Sequence, residues 1–239
     1  MECDGGGDGG CGARRMTPEE FFHWQEGQDE PFELVDGVPV PKHRMMTGAS
    51  VQHDRVTVNV IITLGNQLRG SGCRPTTDDV SLRTSITTIR RPDVTVECGE
   101  LVYDTHESRE PRLVVEVASP STTTVDRTVK LEEYKRHPTL RYILLLETVA
   151  PVALLYRREA ESWQPELFEG LDAVIDLPEL GASLALAEVY GGLASRPASP
   201  TRCAERPHHM SSAMRASSDI RLWSHGGSNT IVTLQPAMP

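Results

Sequence analysis

A chain of 239 residues, 38% hydrophobic and 24% charged, is long enough for one substantial domain or two small ones and apolar enough for a folded core. No run nears the roughly 20 apolar residues of a membrane span, and no N-terminal apolar segment reads as a secretory signal, so a cytoplasmic protein free of the membrane is expected. The net charge of −10 divides into −1 for residues 1–15, −12 for 16–194 and +3 for 195–239, and the body therefore has the wrong sign for gripping duplex DNA by charge alone.

Residues 1–15 are mostly glycine and charge and are expected to form a disordered head. Met16 reads like a fresh start, because Thr17, Pro18 and Glu20 supply a helix cap, a first-turn proline and a capping box. Phe21, Phe22 and Trp24 would be the packing face of that helix. Residues 32–40 read as two short strands about an Asp36-Gly37 turn. Val56, Val60, Ile61, Leu64 and Leu68 fall on one stripe of a helix over 52–69, which Gly70-Ser71-Gly72 ends.

Residues 80–83 and 93–97 alternate as half-buried strands do, whereas 113–117 is the continuous apolar run of a central strand covered on both faces. Turn residues at 119–122 and Thr123 lead into a helix over 124–137, closed by Pro138. Strands are expected over 141–147, 152–156 and 163–168, then a short strand and a terminal helix over 186–193. From about 195 the periodicity stops, and 195–239 is expected to be a disordered tail. The folded domain is thus 16–194. Cys3, Cys11, Cys73, Cys98 and Cys203 are odd in number and scattered, which predicts free thiols and neither a disulfide framework nor a structural zinc.

The residues that carry chemistry lie on two successive expected strands and the helix after them. Asp93 opens one strand, and Glu116 interrupts the valines of the next, on the same face as Val114. Asp93 after a proline has an ordinary explanation as a turn residue, and Asp126 with Lys130 has one as a helix ion pair. Glu116 has no such excuse, because an ionised carboxylate on a buried strand is costly unless a cation or hydrogen bonds meet it. If the strands are neighbours, the two acids converge. One or two carboxylates, with water and phosphate, complete a magnesium site, and manganese would serve as well. Such a metal activates water and neutralises a phosphodiester, while Lys130 could support the transition state.

Glu33, in the hairpin, is a candidate ligand of a second ion or a support behind the first; a solvated hairpin acid is the equal alternative. His53 could point at a phosphate or merely open its helix. Tyr134 is expected to be a core aromatic whose hydroxyl reaches the helix surface.

The order of these segments resembles the Uma-two family of restriction-endonuclease type, within the PD-(D/E)xK nuclease superfamily. The resemblance runs from Met16-Thr17-Pro18-Glu19-Glu20-Phe21 and Phe32-Glu33-Leu34-Val35-Asp36-Gly37 through His53 and Arg91-Pro92-Asp93-Val94. Its most specific part is Val114-Val115-Glu116-Val117-Ala118-Ser119-Pro120-Ser121-Thr122, followed by Asp126, Lys130, Leu131 and Tyr134. It implies a mixed α/β sheet flanked by helices, with Asp93 and Glu116 as the acids of the motif. The usual lysine position is Ala118 here, so the resemblance moves the lysine onto the following helix, at Lys130. Glu33 matches the acid of the family's N-terminal hairpin, and Glu147 stands where the family tends to have an aspartate.

The expected function is magnesium-dependent hydrolysis of phosphodiester bonds, endonucleolytic and on DNA, with Asp93, Glu116, Lys130 and Glu33 as the catalytic set. The alternatives are a catalytically inert nuclease fold that binds nucleic acid or regulates, and a metal-dependent hydrolase of a small phosphorylated substrate. DNA against RNA and a homodimer are left open.

Overall fold

The computed structural model describes residues 15–42, 50–118 and 124–193, side chains excepted at 124–126. The expectations for the head before Arg15, for the turn at 119–122 and for the tail lie outside those residues.

Helix α1 (Pro18–Gln25) begins with the expected reciprocal cap: the Glu20 amide donates to the Thr17 hydroxyl at 3.2 Å and the Thr17 amide to the Glu20 carboxylate at 3.0 Å. Its Phe21 packs on Leu34 and Ile89 in a small core of its own. Strands β1 (Phe32–Val35) and β2 (Val38–Pro41) form the hairpin, and Asp36 (φ 49°) with Gly37 (φ 81°) makes the left-handed pair of a two-residue turn. Helix α2 (Val51–Gln67) starts at Ser50, whose side chain accepts from the His53 amide at 3.2 Å. Val56, Val60 and Leu64 are buried along it, each contributing roughly 1.5–3 kcal/mol.

Strand β3 (Cys73–Thr77) follows, then β4 (Leu82–Ser85), β5 (Thr88–Arg90), β6 (Val94–Cys98) and β7 (Pro111–Ala118). Helix α3 (Thr124–Arg136) leads to β8 (Tyr142–Glu147), β9 (Val152–Glu159) and β10 (Ser162–Glu169). The described chain ends with β11 (Val174–Leu177), β12 (Ala182–Ala185) and the short α4 (Leu186–Val189), so the final segment holds two strands and a shorter helix than its pattern suggests.

Two sheets organise these elements. One has the order β2-β1-β5-β4; the other has the order β10-β9-β8-β7-β6-β3, with β11-β12 a separate pair. Only β7 and β8 run parallel in the larger sheet, joined through α3 as a parallel pair requires. The alternation of β7 divides the core. Leu113, Val115 and Val117 join the cluster under α2, while Val114 joins Tyr134, Leu140 and Ile143 under α3. Glu116 shares the Val114 parity, so the central strand turns its acid toward α3. This is a mixed α/β fold with helices on both faces of its main sheet. Among the described residues no helix is long and apolar enough to cross a membrane.

The expectation of free thiols fails for Cys73 and Cys98, which form a disulfide across a sequence separation of 25. Strands β3 and β6 pair antiparallel with Cys73 directly opposite Cys98. That register brings the two cysteines together; their spacing in the chain gave no hint of it.

Candidate active site

The β5 strand ends at Arg90, and Arg91-Pro92 carries the chain directly into Asp93 and β6, so the site lies where the two sheets are stitched together. Strands β6 and β7 pair with Val94 opposite Val115, which sets Asp93 beside Glu116. The Val117 amide donates to Asp93 Oδ2 at 2.8 Å, tying the first acid to the strand that bears the second.

Asp93 is buried and well supplied with donors. His53 Nε2, from the first turn of α2, lies 3.2 Å from Oδ2, and Lys42 Nζ lies 3.4 Å from Oδ1. Burial alone would raise this carboxyl; the His53 hydrogen bond and the Lys42 charge outweigh it and bring it down to about 2. The same pairing raises His53 against the lowering effect of its own burial. His53 therefore contacts the motif acid itself and is more than a helix-opening residue.

Glu116 has the opposite balance. The residue keeps some surface, but its carboxyl is closely surrounded, and this desolvation pushes it up to about 7. Lys130 acts against the rise, whereas the Asp93 charge adds to it. The Tyr134 hydroxyl donates to Glu116 Oε1 at 2.6 Å. Tyr134 is fully buried, so its hydroxyl points into the site and not to the helix surface as expected. A phenol that far from water is held well above its ordinary value by burial and by the Glu116 charge.

Glu33 is buried too, which removes the solvated-hairpin alternative. Arg90 donates to its Oε2 at 2.9 Å, and the Arg91 amide and Lys130 Nζ donate to its Oε1, each at 3.1 Å. Burial would raise this acid, but the Lys130 and Arg90 charges and the Arg91 amide pull it below its usual value. Arg90 is pinned on its other edge by Glu133, at 2.7 and 2.8 Å.

The structure thus brings Asp93, Glu116, Lys130, Glu33 and His53 into one neighbourhood. The side chain of Asp126 lies outside the described residues. Glu147 pairs with Arg127 at 2.9 Å. The sequence reading missed Lys42, Asp78, Arg90 and Glu133. Their partners are 36 to 57 residues away in the chain and follow no periodic pattern.

Among the described residues no three His, Cys, Asp or Glu side chains are gathered as a metal-binding group. The fit of a hard cation rests on Asp93 and Glu116 alone. Two carboxylates are a donor set that magnesium accepts, since water and phosphate oxygens fill its remaining positions. Asp93 also helps to hold Glu116 high, and a dication shared by the pair would relieve that repulsion.

A mixed sheet with two adjacent carboxylates, beside a helix that bears a lysine, defines a protein of restriction-endonuclease-like α/β class. The Uma-two family profile, described as "Putative restriction endonuclease", matches residues 18–187, and the chain belongs to that family. An uncharacterised protein of Synechocystis sp. is 31% identical over 183 residues, covering 75% of this chain and 94% of that protein. A crystal structure described as a putative nuclease belonging to DUF820, from Anabaena variabilis, is similar with a TM-score of 0.57 at 16% identity. It covers 73% of this chain and 97% of that one, and at such identity the likeness is one of fold.

Proposed function

We propose that the chain is a magnesium-dependent endonuclease that hydrolyses phosphodiester bonds in DNA. The observation that carries this reading is the adjacency of Asp93 and Glu116 on paired strands, with the Lys130 charge acting on Glu116.

In this reading Asp93 and Glu116 hold the cation. Magnesium bound there would neutralise charge on the phosphodiester and make an attached water more acidic. The Val117 amide and His53 fix one oxygen of Asp93, so the carboxylate does not rotate. Tyr134 fixes one oxygen of Glu116 in the same way. Lys130 offers an ammonium to the charge that builds on phosphorus. Glu33 assists by holding that ammonium at 3.1 Å, and Arg90 keeps Glu33 ionised. Cutting both strands with one site per chain asks for two copies, so a homodimer belongs to the same reading. The cytoplasm is the compartment we assign, and there the Cys73–Cys98 bond would be exposed to reduction.

Two observations favour the inert alternative: the body carries −12, and Asp93 already has Lys42 and His53 as partners. Incubation of the purified chain with supercoiled plasmid separates the two. Nicking that requires magnesium or manganese is expected, falling to background in Asp93→Ala while circular dichroism shows a folded protein. Cleavage kept by that variant removes the assignment.

A further inference from the structure

Lys42 contacts Asp93, whereas Lys130 pairs with Glu33. The Lys42 side chain is 9% exposed and that of Asp93 is 8% exposed. The ammonium bridges two acids unequally, at 2.7 Å from Asp78 Oδ2 and 3.4 Å from Asp93 Oδ1. The first is a close charge-assisted hydrogen bond; the second is at the outer limit of one.

The two oxygens of Asp93 are not equivalent. Oδ2 receives the Val117 amide and His53, whereas Oδ1 faces Lys42. A cation approaching Oδ1 meets the Lys42 charge at close range in a poorly hydrated place, where like charges repel strongly. Asp78 gives that ammonium somewhere else to be. The distance between the two acceptors is held by Arg91, whose NH1 donates to the Asp78 and Asp79 carbonyls at 2.9 and 3.1 Å. Arg91 lies two residues before Asp93, so the loop bearing Asp78 is fastened to the entry of the strand bearing Asp93.

We propose that Lys42 is an internal counter-ion that competes with the divalent cation for Asp93, and that Asp78 is the acceptor onto which it withdraws. This rests on Asp93 being a ligand of that cation. Lys42 would then set how tightly the metal binds, and Asp78 would set how readily Lys42 yields. The lysine supports the unloaded site by occupying Asp93, and the 0.7 Å difference between its two contacts already favours withdrawal.

Manganese titration by calorimetry tests this, with free manganese followed by electron paramagnetic resonance. Lys42→Met is expected to tighten manganese binding by on the order of tenfold. Asp78→Asn leaves Asp93 as the acceptor for Lys42 and is expected to weaken it by a similar factor. In the double variant there is no ammonium to release, so its affinity should match Lys42→Met. If Asp78 acted only through its negative field, the double variant would bind more weakly than Lys42→Met, and the withdrawal role would be overturned. Should Lys42→Met fold poorly, Lys42→Gln keeps an uncharged donor to Asp78 and carries the same expectation. Asp93-dependent binding that is unchanged or weakened by loss of Lys42 overturns this inference and leaves the metal site standing. Binding absent from both wild type and Lys42→Met, or indifferent to Asp93→Asn, overturns both.

Discussion

Glu116 concentrates the physics of the site in one side chain. Its sequence context made it conspicuous, because a mid-strand acid among valines has few stable explanations. The structure supplies two, a phenol donating at 2.6 Å and the Lys130 charge, while the neighbouring Asp93 carboxylate works against them. The carboxyl is raised from 4.5 to about 7. A raised acid binds its proton more tightly when folded, so its stabilisation is full below the unfolded value and is lost as pH rises through the folded one. Without divalent ions, stability should therefore fall between about pH 4.5 and 7, by on the order of 3 kcal/mol. Raised His53 acts in the same direction only above its ordinary value of 6.5, so urea midpoints across the range are compared with those of Glu116→Gln. The Gln variant should show a flatter profile, and an unchanged slope would assign the pH dependence elsewhere. Asp93 behaves oppositely: its contribution is present above its ordinary value of 3.8 and is lost only as pH falls toward 2. Glu116 was legible from the sequence as a polar break in a strand pattern, whereas Asp93, opening a strand after a proline, also read as an ordinary turn residue. Lys42 and Asp78 were not legible, because each belongs to a segment with no periodicity and they meet only through tertiary folding.

At the scale of elements, α3 and β5 matter most. Lys130, Glu133 and Tyr134 are three and four positions apart, so one helical face delivers all three to the sheet. Lys130 meets Glu33, Glu133 meets Arg90 and Tyr134 meets Glu116. The helix was readable from the turn residues before it and its closing proline, but the partners Glu33 and Arg90 were not, since nothing local reveals buried partners. Arg90 is the hub of this arrangement, with its side chain 2% exposed between Glu33 and Glu133. Arg90→Met would leave Glu33 and Glu133 without that cation and should cost about 3–5 kcal/mol in urea unfolding. A cost below about 1 kcal/mol would mean that the acids find water or other donors.

Strand β5 has three residues, and β3 is polar with Pro75 inside it, so neither carried an apolar alternation to read. Proline is tolerated in β3 because that strand is the sheet's edge. Its link to β6 through Cys73 and Cys98 gives a further expectation. Oxidised protein should be about 2–4 kcal/mol more stable than reduced protein, because the cross-link restrains the unfolded chain. Equal melting curves with and without dithiothreitol would show that the bond does not form in solution.

At the scale of the whole molecule, two sheets meet at Arg91-Pro92-Asp93, and the acids, the lysines and the histidine gather at that seam. The hairpin, both long helices and the central strand were visible as pattern in the chain, whereas the fold class came from the family resemblance. The seam was not visible, because it depends on how the smaller sheet is set against the larger. Under the proposed function the acidic body would leave substrate binding to a metal and a few buried cations, and the same charge is what favours the inert alternative. The central claim is that Asp93 and Glu116 share one divalent ion. Crystals grown with manganese and measured at its absorption edge test it most directly. The expected result is a single anomalous peak about 2.0–2.2 Å from one oxygen of each carboxylate, a separation typical of hard cations on oxygen. A peak elsewhere, or none between these two acids at saturating manganese, would contradict the account.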